Sequence, residues 1–428
     1  MAAGGPLLAS AGWRQALVAT LYAYQGVVAG CALTALPNHA ASLGASTTEI
    51  GLYVAAIGFP WIAQPLWGPV VDRFGGMRMG RRRFWVLLAL AGSLMALSGL
   101  FWVGDIRPGG LGAIAAIFTA HSFCAALMDT ATDAMIIDHT PTGRLGAATA
   151  CTRAGFVSGL AVGGVAFAWV LPQAGLGWAA ILLLLVGLLA AVLPLLVRET
   201  PDDAWFSLTR RARQEGPGFP LLLAELGGHL TRPAHVLLLL FCLTQDFLGA
   251  IFRLPLGVFL IQEGGWAAAS LSSAQSGIGL AAGTLGAWLV GTWTDRVGPA
   301  RALAWLLAGS CAAHLLAGVA LGLGGGWAGP LALSLSGITS ALCFVALAPA
   351  VMQASRGAVA ASRFALYMAA LNLGDVLGSG MAGPAGTLGV PILGVVVAFG
   401  YGLLAWNAAR MVQRFRQQPS RLPTPQKI

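Results

Sequence analysis

Apolar runs of membrane-crossing length recur along the whole chain, and short polar stretches separate them. A helix needs about 20 mostly apolar residues to cross a hydrocarbon core of about 30 Å. The runs predict twelve such helices, six before and six after a polar segment at 198–234. The predicted spans are 13–41, 47–71, 83–104, 110–137, 144–171, 176–197, 235–261, 268–293, 299–323, 328–353, 361–386 and 389–409.

The composition of the chain agrees with this pattern. Of its 428 residues, 57% are hydrophobic and only 9% are charged, whereas ordinary soluble domains have about 25% charged residues. The apolar runs are continuous and do not alternate with polar residues, which excludes a transmembrane β-barrel. We therefore predict an all-α integral membrane protein that lies in a lipid bilayer.

The basic residues predict the orientation in the membrane. Arginines lie in alternate loops and near both ends of the chain, while Arg107 is the exception in a loop on the other side. Cytoplasmic loops carry the excess of arginine and lysine, so both termini are expected to be cytoplasmic. The net charge of +9 thus follows from membrane topology, and we expect no nucleic-acid partner.

An internal repeat divides the chain into two similar parts. The segment LWGPVVDRFGG at 66–76 recurs as LVGTWTDRVGP at 289–299, each time at the end of the second span of a six-span half. We predict two pseudo-symmetric six-helix bundles, a cytoplasmic linker and a cytoplasmic tail. The predicted bounds are 1–197 and 235–411 for the two bundles, 198–234 for the linker and 412–428 for the tail.

The repeated G-x-x-x-D-R-x-G motif, followed in its first copy by three arginines, resembles the loop signature of the major facilitator superfamily. The resemblance implies the major facilitator fold, in which two bundles rock about a central site and the chain works as a monomer. It also implies conformation-dependent gating contacts. The predicted gating residues are Gly68, Asp72, Arg73, Arg81, Arg82, Arg83, Gly291, Asp295 and Arg296, together with Asp138 near the cytoplasmic end of span four.

A second pattern narrows the resemblance to one subgroup. Asp129, Asp133 and Asp138 are followed by R-x-G-x-x-x-S-G from Arg153, and Asp246 precedes a proline in span seven. This pattern is similar to muropeptide permeases of the AmpG type, acetyl-coenzyme A transporters, and siderophore permeases of the rhizobactin and pyochelin type. The resemblance implies import of a small organic solute, such as a siderophore or muropeptide, across a bacterial inner membrane by alternating access.

Two acids of span four are the candidate proton site. A charged residue near the centre of a membrane helix costs about 2.5–3.5 kcal/mol on insertion scales, so it usually pairs or faces a cavity. Asp129 and Asp133 are one helical turn apart and share a face, and two like charges there favour a shared proton. We predict that they couple to Arg153 in proton transport. The alternative is a permanent Asp–Arg pair that only joins spans four and five.

Other polar residues inside the spans are candidate substrate contacts. The alternative for each is an interhelical hydrogen bond or a network that stabilises one conformation. For Asp375 the sequence left open a pairing with Arg363 or with water in a cavity. The candidates are Tyr22, Tyr24, Gln25, Gln245, Asp246, Arg253, Gln275, Asn372 and Asp375.

Glycine spacing predicts close helix contacts. Gly155, Gly159 and Gly163 recur every four residues in span five, and Gly374 and Gly378 do so in span eleven. Small residues let helix backbones approach closely. In a rocking transporter the helices that carry these glycines are expected to slide against the opposite bundle, whereas static helix packing is the alternative.

The sequence also raises the alternatives of a copper permease, a non-transporting assembly factor and an enzyme. His121, Cys124 and Met128 share a face of span four, and such soft ligands suit Cu(I), but this spacing is more typical of core packing, so we assign no metal site. A non-transporting membrane assembly factor on the same fold is the other alternative. The chain has no Walker phosphate loop, HExxH helix or nucleophile elbow. We therefore predict a proton-coupled secondary transporter without a cofactor, and not an enzyme.

Overall fold

The structure is a computed structural model that describes residues 7–74, 77–140, 145–209, 220, 227–228, 230–355 and 360–417. Helices make up nearly all of this part of the chain, and its β-type pairing consists of isolated bridges such as the one between Leu7 and Arg198. The predicted all-α fold is confirmed.

The first part of the chain forms helices α1 to α6. Helix α1 contains a π-helical turn at Cys31–Ala35, α2 has two parts, and α3 ends in a 3-10 turn. A long helical stretch, Leu145–Leu196, turns at Gly175, whose φ of 76° ends α5 and starts α6. The bounds are α1 Ala11–Ser42, α2 Thr47–Ile62 and Gln64–Arg73, α3 Arg83–Trp102, α4 Leu111–His139, α5 145–174 and α6 176–196.

The second part forms helices α7 to α12. Helix α8 consists of Ala268–Ala281 and Ala287–Val297, joined by a π-helical turn at Ala282–Gly286. A short helix, Ala382–Gly386, precedes the last long one. The other bounds are α7 Pro233–Gln262, α9 Pro299–Leu323, α10 Ala328–Ser355, α11 Ala360–Gly380 and α12 Val390–Gln417.

Nine helices in the described residues are long and apolar enough to cross a membrane. They are α1 to α4, the undivided Cys151–Leu196 stretch, α7, α9, α10 and α12. Large apolar side chains such as Met95, Trp102 and Phe399 are exposed on the outside, as expected where lipid replaces water. The total of twelve spans stays a prediction, because α8 and α11 do not reach the same combination of length and hydropathy.

The helices alternate in direction, which gives the molecule two ends. We call them the Ser42 end, where α1 ends and α2 begins, and the Arg82 end, where α2 ends and α3 begins. At the Ser42 end, Gly44 turns the chain with a φ of 91°. Ser46 then starts α2 with a capping box, in which its hydroxyl accepts from the Glu49 N–H and Glu49 accepts from the Ser46 N–H.

Glycine allows α1 and α5 to touch along their backbones. A Cβ built at Gly159 would lie 2.1 Å from the Ala23 carbonyl oxygen, and one at Gly163 would lie 2.3 Å from the Val27 carbonyl oxygen. Helices α11 and α7 make the equivalent contact in the second part, where a Cβ at Gly374 would lie 2.0 Å from the Leu243 carbonyl oxygen.

These glycine faces pack within each half. Gly155, Gly159 and Gly163 pack on α1, and Gly374 and Gly378 pack on α7, so each face joins two helices of the same half. Helices α5 and α11 also contact the opposite half, and the expected sliding of these helices against it stays a prediction. The same pair of positions is used in both halves, as a repeat requires, while the predicted domain bounds themselves stay a prediction.

One group of hydrogen bonds between the two halves lies at the Ser42 end. The Asn38 amide of α1 donates to Ser272 Oγ and to Gln275 Oε1 of α8, both at 2.8 Å. Gln262 Nε2 of α7 donates to the carbonyl oxygens of Ala41 and Ala45 at 2.9 and 3.0 Å. We call these four side chains, Asn38, Gln262, Ser272 and Gln275, the Ser42-end seam.

The glycine contact predicts a stability effect. In Gly159→Ala the new methyl group meets a backbone oxygen that cannot rotate away, so α1 and α5 must separate. We expect a loss of about 1–3 kcal/mol, seen as a lower midpoint of thermal unfolding in detergent.

The matched control is Gly309→Ala in α9, where a Cβ meets nothing within 4 Å. This variant should be neutral or slightly more stable, because alanine favours helix over glycine by about 1 kcal/mol. Equal unfolding midpoints for the two variants would show that the α1–α5 contact can accommodate the added methyl group.

Candidate functional site

A cavity of about 380 Å³ lies among five helices near the middle of the molecule. Four of them, α1, α2, α4 and α5, belong to the first half, and α11 contributes from the second. Its apolar wall includes Phe118, Trp61 and Phe156. Its polar lining residues are Tyr22, Gln25, His121, Ser122, Asp129, Thr152, Arg153, Asn372 and Asp375.

Asp129 and Asp133 of α4 each accept a short hydrogen bond from a neutral side chain. Gln64 Nε2 of α2 donates to Asp129 Oδ2 at 2.6 Å, and Tyr22 Oη of α1 donates to Asp133 Oδ1 at 2.6 Å. The shared face that the one-turn spacing predicted thus points between α1 and α2. Both donors are neutral, so neither of them balances a negative charge on the two acids.

The predicted ion pair between Arg153 and these aspartates is not formed in this conformation. The Arg153 guanidinium carbon lies 4.9 Å from the centre of the Phe344 ring of α10. This is a cation–π contact, and it joins α5 of the first half to α10 of the second. Whether Arg153 pairs with the aspartates in another conformation stays a prediction.

The acid of α11 has an arginine partner that differs from the predicted one. Arg253 Nη2 of α7 donates to Asp375 Oδ1 at 2.8 Å, and the two side chains are 49% and 33% exposed. Asp375 lines the cavity, so this exposure is to a space between the helices. The observed arginine partner of Asp375 is therefore Arg253 and not Arg363, while a contact of Asp375 with water in the cavity stays a prediction. Asp246 instead accepts from Gln245 Nε2 at 3.1 Å.

One amide in the cavity wall has no hydrogen-bond acceptor. Gln25 is only 5% exposed, and its Nε2 makes no hydrogen bond of ordinary geometry in the described part of the chain, although the amide lies close enough to the Asp129 carboxylate to be a weak donor to it. A buried donor without a partner is costly. Gln25 is therefore a candidate to donate to something that enters the cavity.

His121 is hydrogen-bonded to a short chain of two hydroxyl groups. Its Nδ1 lies 2.6 Å from Ser93 Oγ, which lies 2.7 Å from the Tyr24 hydroxyl. The ring itself lines the cavity. In the soft-ligand stripe predicted with it, Cys124 packs against Gly92 and Met128 is fully buried.

The structure brings some of the predicted substrate contacts together and separates others. Tyr22, Gln25, Asn372 and Asp375 line the cavity. Tyr24 is 1% exposed and binds Ser93, while Gln275 lies in the Ser42-end seam. Gln245, Asp246 and Arg253 lie on α7 beside the cavity, and only Arg253 reaches one of its lining residues, Asp375.

The Arg82 end contains a dense network around α3. Arg82 Nε binds Asp138 Oδ2 at 3.0 Å, which places Asp138 in a contact between α3 and the end of α4. Arg83 is 1% exposed and donates to the carbonyl oxygens of Pro194 and Leu195, both at 2.6 Å, at the end of α6. These contacts all lie within the first half.

Glu199 completes this network from the chain that follows α6. Its carboxylate accepts from the backbone N–H of Arg82 at 2.7 Å and of Arg83 at 2.5 Å, where α3 begins. A carboxylate at a helix N-terminus satisfies otherwise unpaired donors. No sequence pattern marks Glu199 as a structural contact, because it lies in a polar segment without periodicity.

The remaining predicted gating residues are only partly described. The side chains of Asp72, Arg73 and Asp295 lie outside the described residues. Gly68 and Gly291 lie in α2 and α8 with open space around them, Arg296 is exposed at the end of α8, and Arg81 lies just before α3. Their gating role stays a prediction.

Comparison with known families decides the classification. The family model of the Major Facilitator Superfamily matches residues 17–379. The chain belongs to the Major Facilitator Superfamily. This membership makes it a multi-pass membrane protein and indicates a transporter, not an enzyme.

Curated proteins match part of the chain. The anhydromuropeptide permease of Escherichia coli strain K12 is 29% identical over 255 residues, which are 59% of this chain and 49% of the permease. The chain thus matches about half the length of that relative. An uncharacterized membrane protein of Saccharomyces cerevisiae is 33% identical over 88 residues, 20% of this chain and 16% of its own length.

Solved structures of the superfamily share the fold over nearly the full chain. A D-xylose-proton symporter gives a TM-score of 0.69 at 14% identity and covers 92% of this chain and 97% of its own. The nucleoside transporter NupG gives 0.65 at 15%, covering 94% and 98%. A bacterial homologue of the lysosomal transporter Spinster, in an inward-facing and unoccupied conformation, gives 0.68 at 15%, covering 96% and 100%. At these identities the likeness shows the fold alone.

The Glu199 contact predicts a pH effect on stability. Burial raises the pKa of the Glu199 carboxyl above its ordinary value, against the opposite effect of the two N–H groups. The folded state then binds the proton more tightly than the unfolded state, so this group stabilises the fold at low pH and loses that contribution as pH rises. Glu199→Gln keeps an acceptor oxygen without the charge and is expected to unfold at a higher temperature than the wild type at pH 8.

The difference in unfolding temperature between Glu199→Gln and the wild type should shrink toward pH 5. The control is Glu263→Gln, since Glu263 is exposed in the loop after α7. A wild type that gains stability relative to Glu199→Gln as pH rises would contradict the stated direction.

Proposed function

We propose that this protein is a proton-coupled secondary transporter that imports a small organic solute across a bacterial inner membrane by alternating access. Membership in the Major Facilitator Superfamily supports the transport mechanism, and the 29% identical relative is an anhydromuropeptide permease. A muropeptide is therefore the first candidate solute. A siderophore is the second, on the resemblance of the sequence alone.

The observation that carries the proposal is the placement of the two aspartates of α4. Asp129 lines the cavity, and Asp133 lies one turn further toward the Arg82 end with its charge unneutralised. Ionised groups are expensive inside a membrane protein and usually mark ion or substrate pathways. Since their partners Gln64 and Tyr22 are neutral, the pair can take up and release a proton without breaking an ion pair.

The cavity is suited to a small solute. A volume of about 380 Å³ lies toward the lower end of the range of small-molecule sites, about 300–1,000 Å³. Its walls combine apolar surface from Trp61 and Phe156 with a few polar groups, as such sites usually do. A complete muropeptide would need the two halves to separate further than they do here.

Proton coupling has a direct consequence for solute movement. One proton moving down about 100 mV releases about 2.3 kcal/mol, which supports about 50-fold accumulation of a neutral solute. In our mechanism, protonation of the aspartate pair removes its charge, and this lowers the cost of enclosing the cavity while the halves rock.

Transport in proteoliposomes tests the coupling. With a radiolabelled anhydromuropeptide as probe, the wild type should accumulate it under a proton gradient. Asp129→Asn and Asp133→Asn cannot ionise, so we expect them to lose accumulation while they still exchange the labelled for the unlabelled probe across the membrane. The matched control is Asp105→Asn, because Asp105 is exposed in the loop after α3.

The result depends on the comparison of accumulation with exchange in one preparation. If a folded Asp133→Asn protein accumulates the probe with the pH dependence of the wild type, Asp133 has no part in coupling. If the wild type moves neither the muropeptide nor an iron–siderophore complex, the proposed solutes are wrong.

A further inference from the structure

Arg153 differs from the other charged groups around the cavity in having no polar partner. Asp375 binds Arg253 at 2.8 Å, and Asp129 and Asp133 each accept a hydrogen bond at 2.6 Å. In the part of the chain that the structure describes, Arg153 forms neither a salt bridge nor a hydrogen bond, and its charged group lies over the Phe344 ring. The cavity therefore contains one positive charge that no carboxylate neutralises.

The position of Arg153 makes its guanidinium accessible from the cavity. The residue lines the cavity and its side chain is exposed there, although α5 is surrounded by other helices at this level. A ring beneath a guanidinium holds it by its flat face. The N–H groups at the edge of the guanidinium, which match the two oxygens of a carboxylate, stay available.

Gln25 supplies a second donor in the same cavity. Its side chain is only 5% exposed, and its Nε2 has no hydrogen-bond partner of ordinary geometry among the described residues. It projects from α1, whose neighbour in the first half is α5, the helix of Arg153. Two donors without acceptors thus line one cavity and come from adjacent helices.

We propose that Arg153 binds a carboxylate group of the transported solute and that the Gln25 amide donates to a neutral oxygen of the same molecule. This inference rests on the proposed function and specifies its substrate class as a solute that presents one carboxylate to Arg153 and a neutral oxygen to Gln25. A single negative charge balances Arg153. A dianion such as phosphate would add a charge that Asp129 and Asp133, near the same cavity, repel.

Binding of the carboxylate also affects a contact between the halves. Arg153 belongs to the first half and Phe344 to the second, so the cation–π contact joins them. The ring holds the flat face of the guanidinium and the carboxylate takes its edge, so both contacts can form at the same time. The ring of the second half thus orients the guanidinium of the first, and solute binding depends on this contact between the halves.

Equilibrium binding to the purified full chain in lipid nanodiscs tests this. The probes are an anhydromuropeptide with a free carboxylate and the same molecule with its carboxylates converted to amides. For Arg153→Gln we expect the Kd of the acid form to rise about 10- to 100-fold, since a hydrogen bond to a charged group is lost. The Kd of the amide form should change by less than about twofold, whereas Gln25→Leu should weaken both forms alike.

Two further variants separate binding from folding. Arg107→Gln removes an exposed loop arginine and should leave both Kd values unchanged. Phe344→Leu removes the ring that orients the guanidinium and should weaken binding of the acid form about two- to tenfold while leaving the Kd of the amide form unchanged, a selectivity that a misfolded protein does not show.

The outcomes distinguish this inference from the proposed function. If the wild type binds both forms and Arg153→Gln weakens them equally or not at all, the carboxylate site is wrong and the transporter proposal stands. If the wild type binds neither form, both the muropeptide proposal and this inference fall. If Arg153→Gln loses binding of the acid form selectively and Arg107→Gln binds both forms as the wild type does, the muropeptide proposal and this inference are both supported.

Discussion

The cost of placing an ionised group inside a membrane protein governs the arrangement of this structure. Each acid of α4 accepts a hydrogen bond from a neighbouring helix, and the acid of α11 pairs with an arginine of α7. Such groups can only be accommodated where helices leave a polar space between them. The cavity and the charges around it therefore depend on each other, since the cavity makes the charges tolerable and the charges keep it hydrated.

Much of the helix pattern could be predicted from the sequence because bilayer thickness fixes the length of an apolar run. The seventh span, predicted at 235–261, is observed as Pro233–Gln262. The shared face of Asp129 and Asp133 was also predictable, because helical geometry alone places residues four apart on one side. The boundary between α5 and α6 was harder to predict, because only the φ of Gly175 divides an otherwise continuous helical stretch.

The partners of the predicted residues could not be derived in the same way. Arg153 contacts Phe344, and Asp375 contacts Arg253, across helices that are far apart in sequence. Spacing along one helix carries no information about which helix lies opposite. Gln64 shows that a weak signal existed, because it is an isolated polar residue in an apolar span. The glycine stripes likewise predicted close approach but not the identity of the neighbouring helix.

Two kinds of contact join the halves at the Ser42 end. The hydrogen bonds of the Ser42-end seam, from Asn38 and Gln262, can each be replaced by water at a net cost of only about 0.5–1.5 kcal/mol. The packing of α2 on α11 has no such substitute, because a Cβ at Gly51 would lie 2.3 Å from the Ser379 carbonyl oxygen and water cannot fill a gap that two helices have closed. Hydration can therefore loosen the seam, whereas the backbone packing beside it limits how far the halves open at this end.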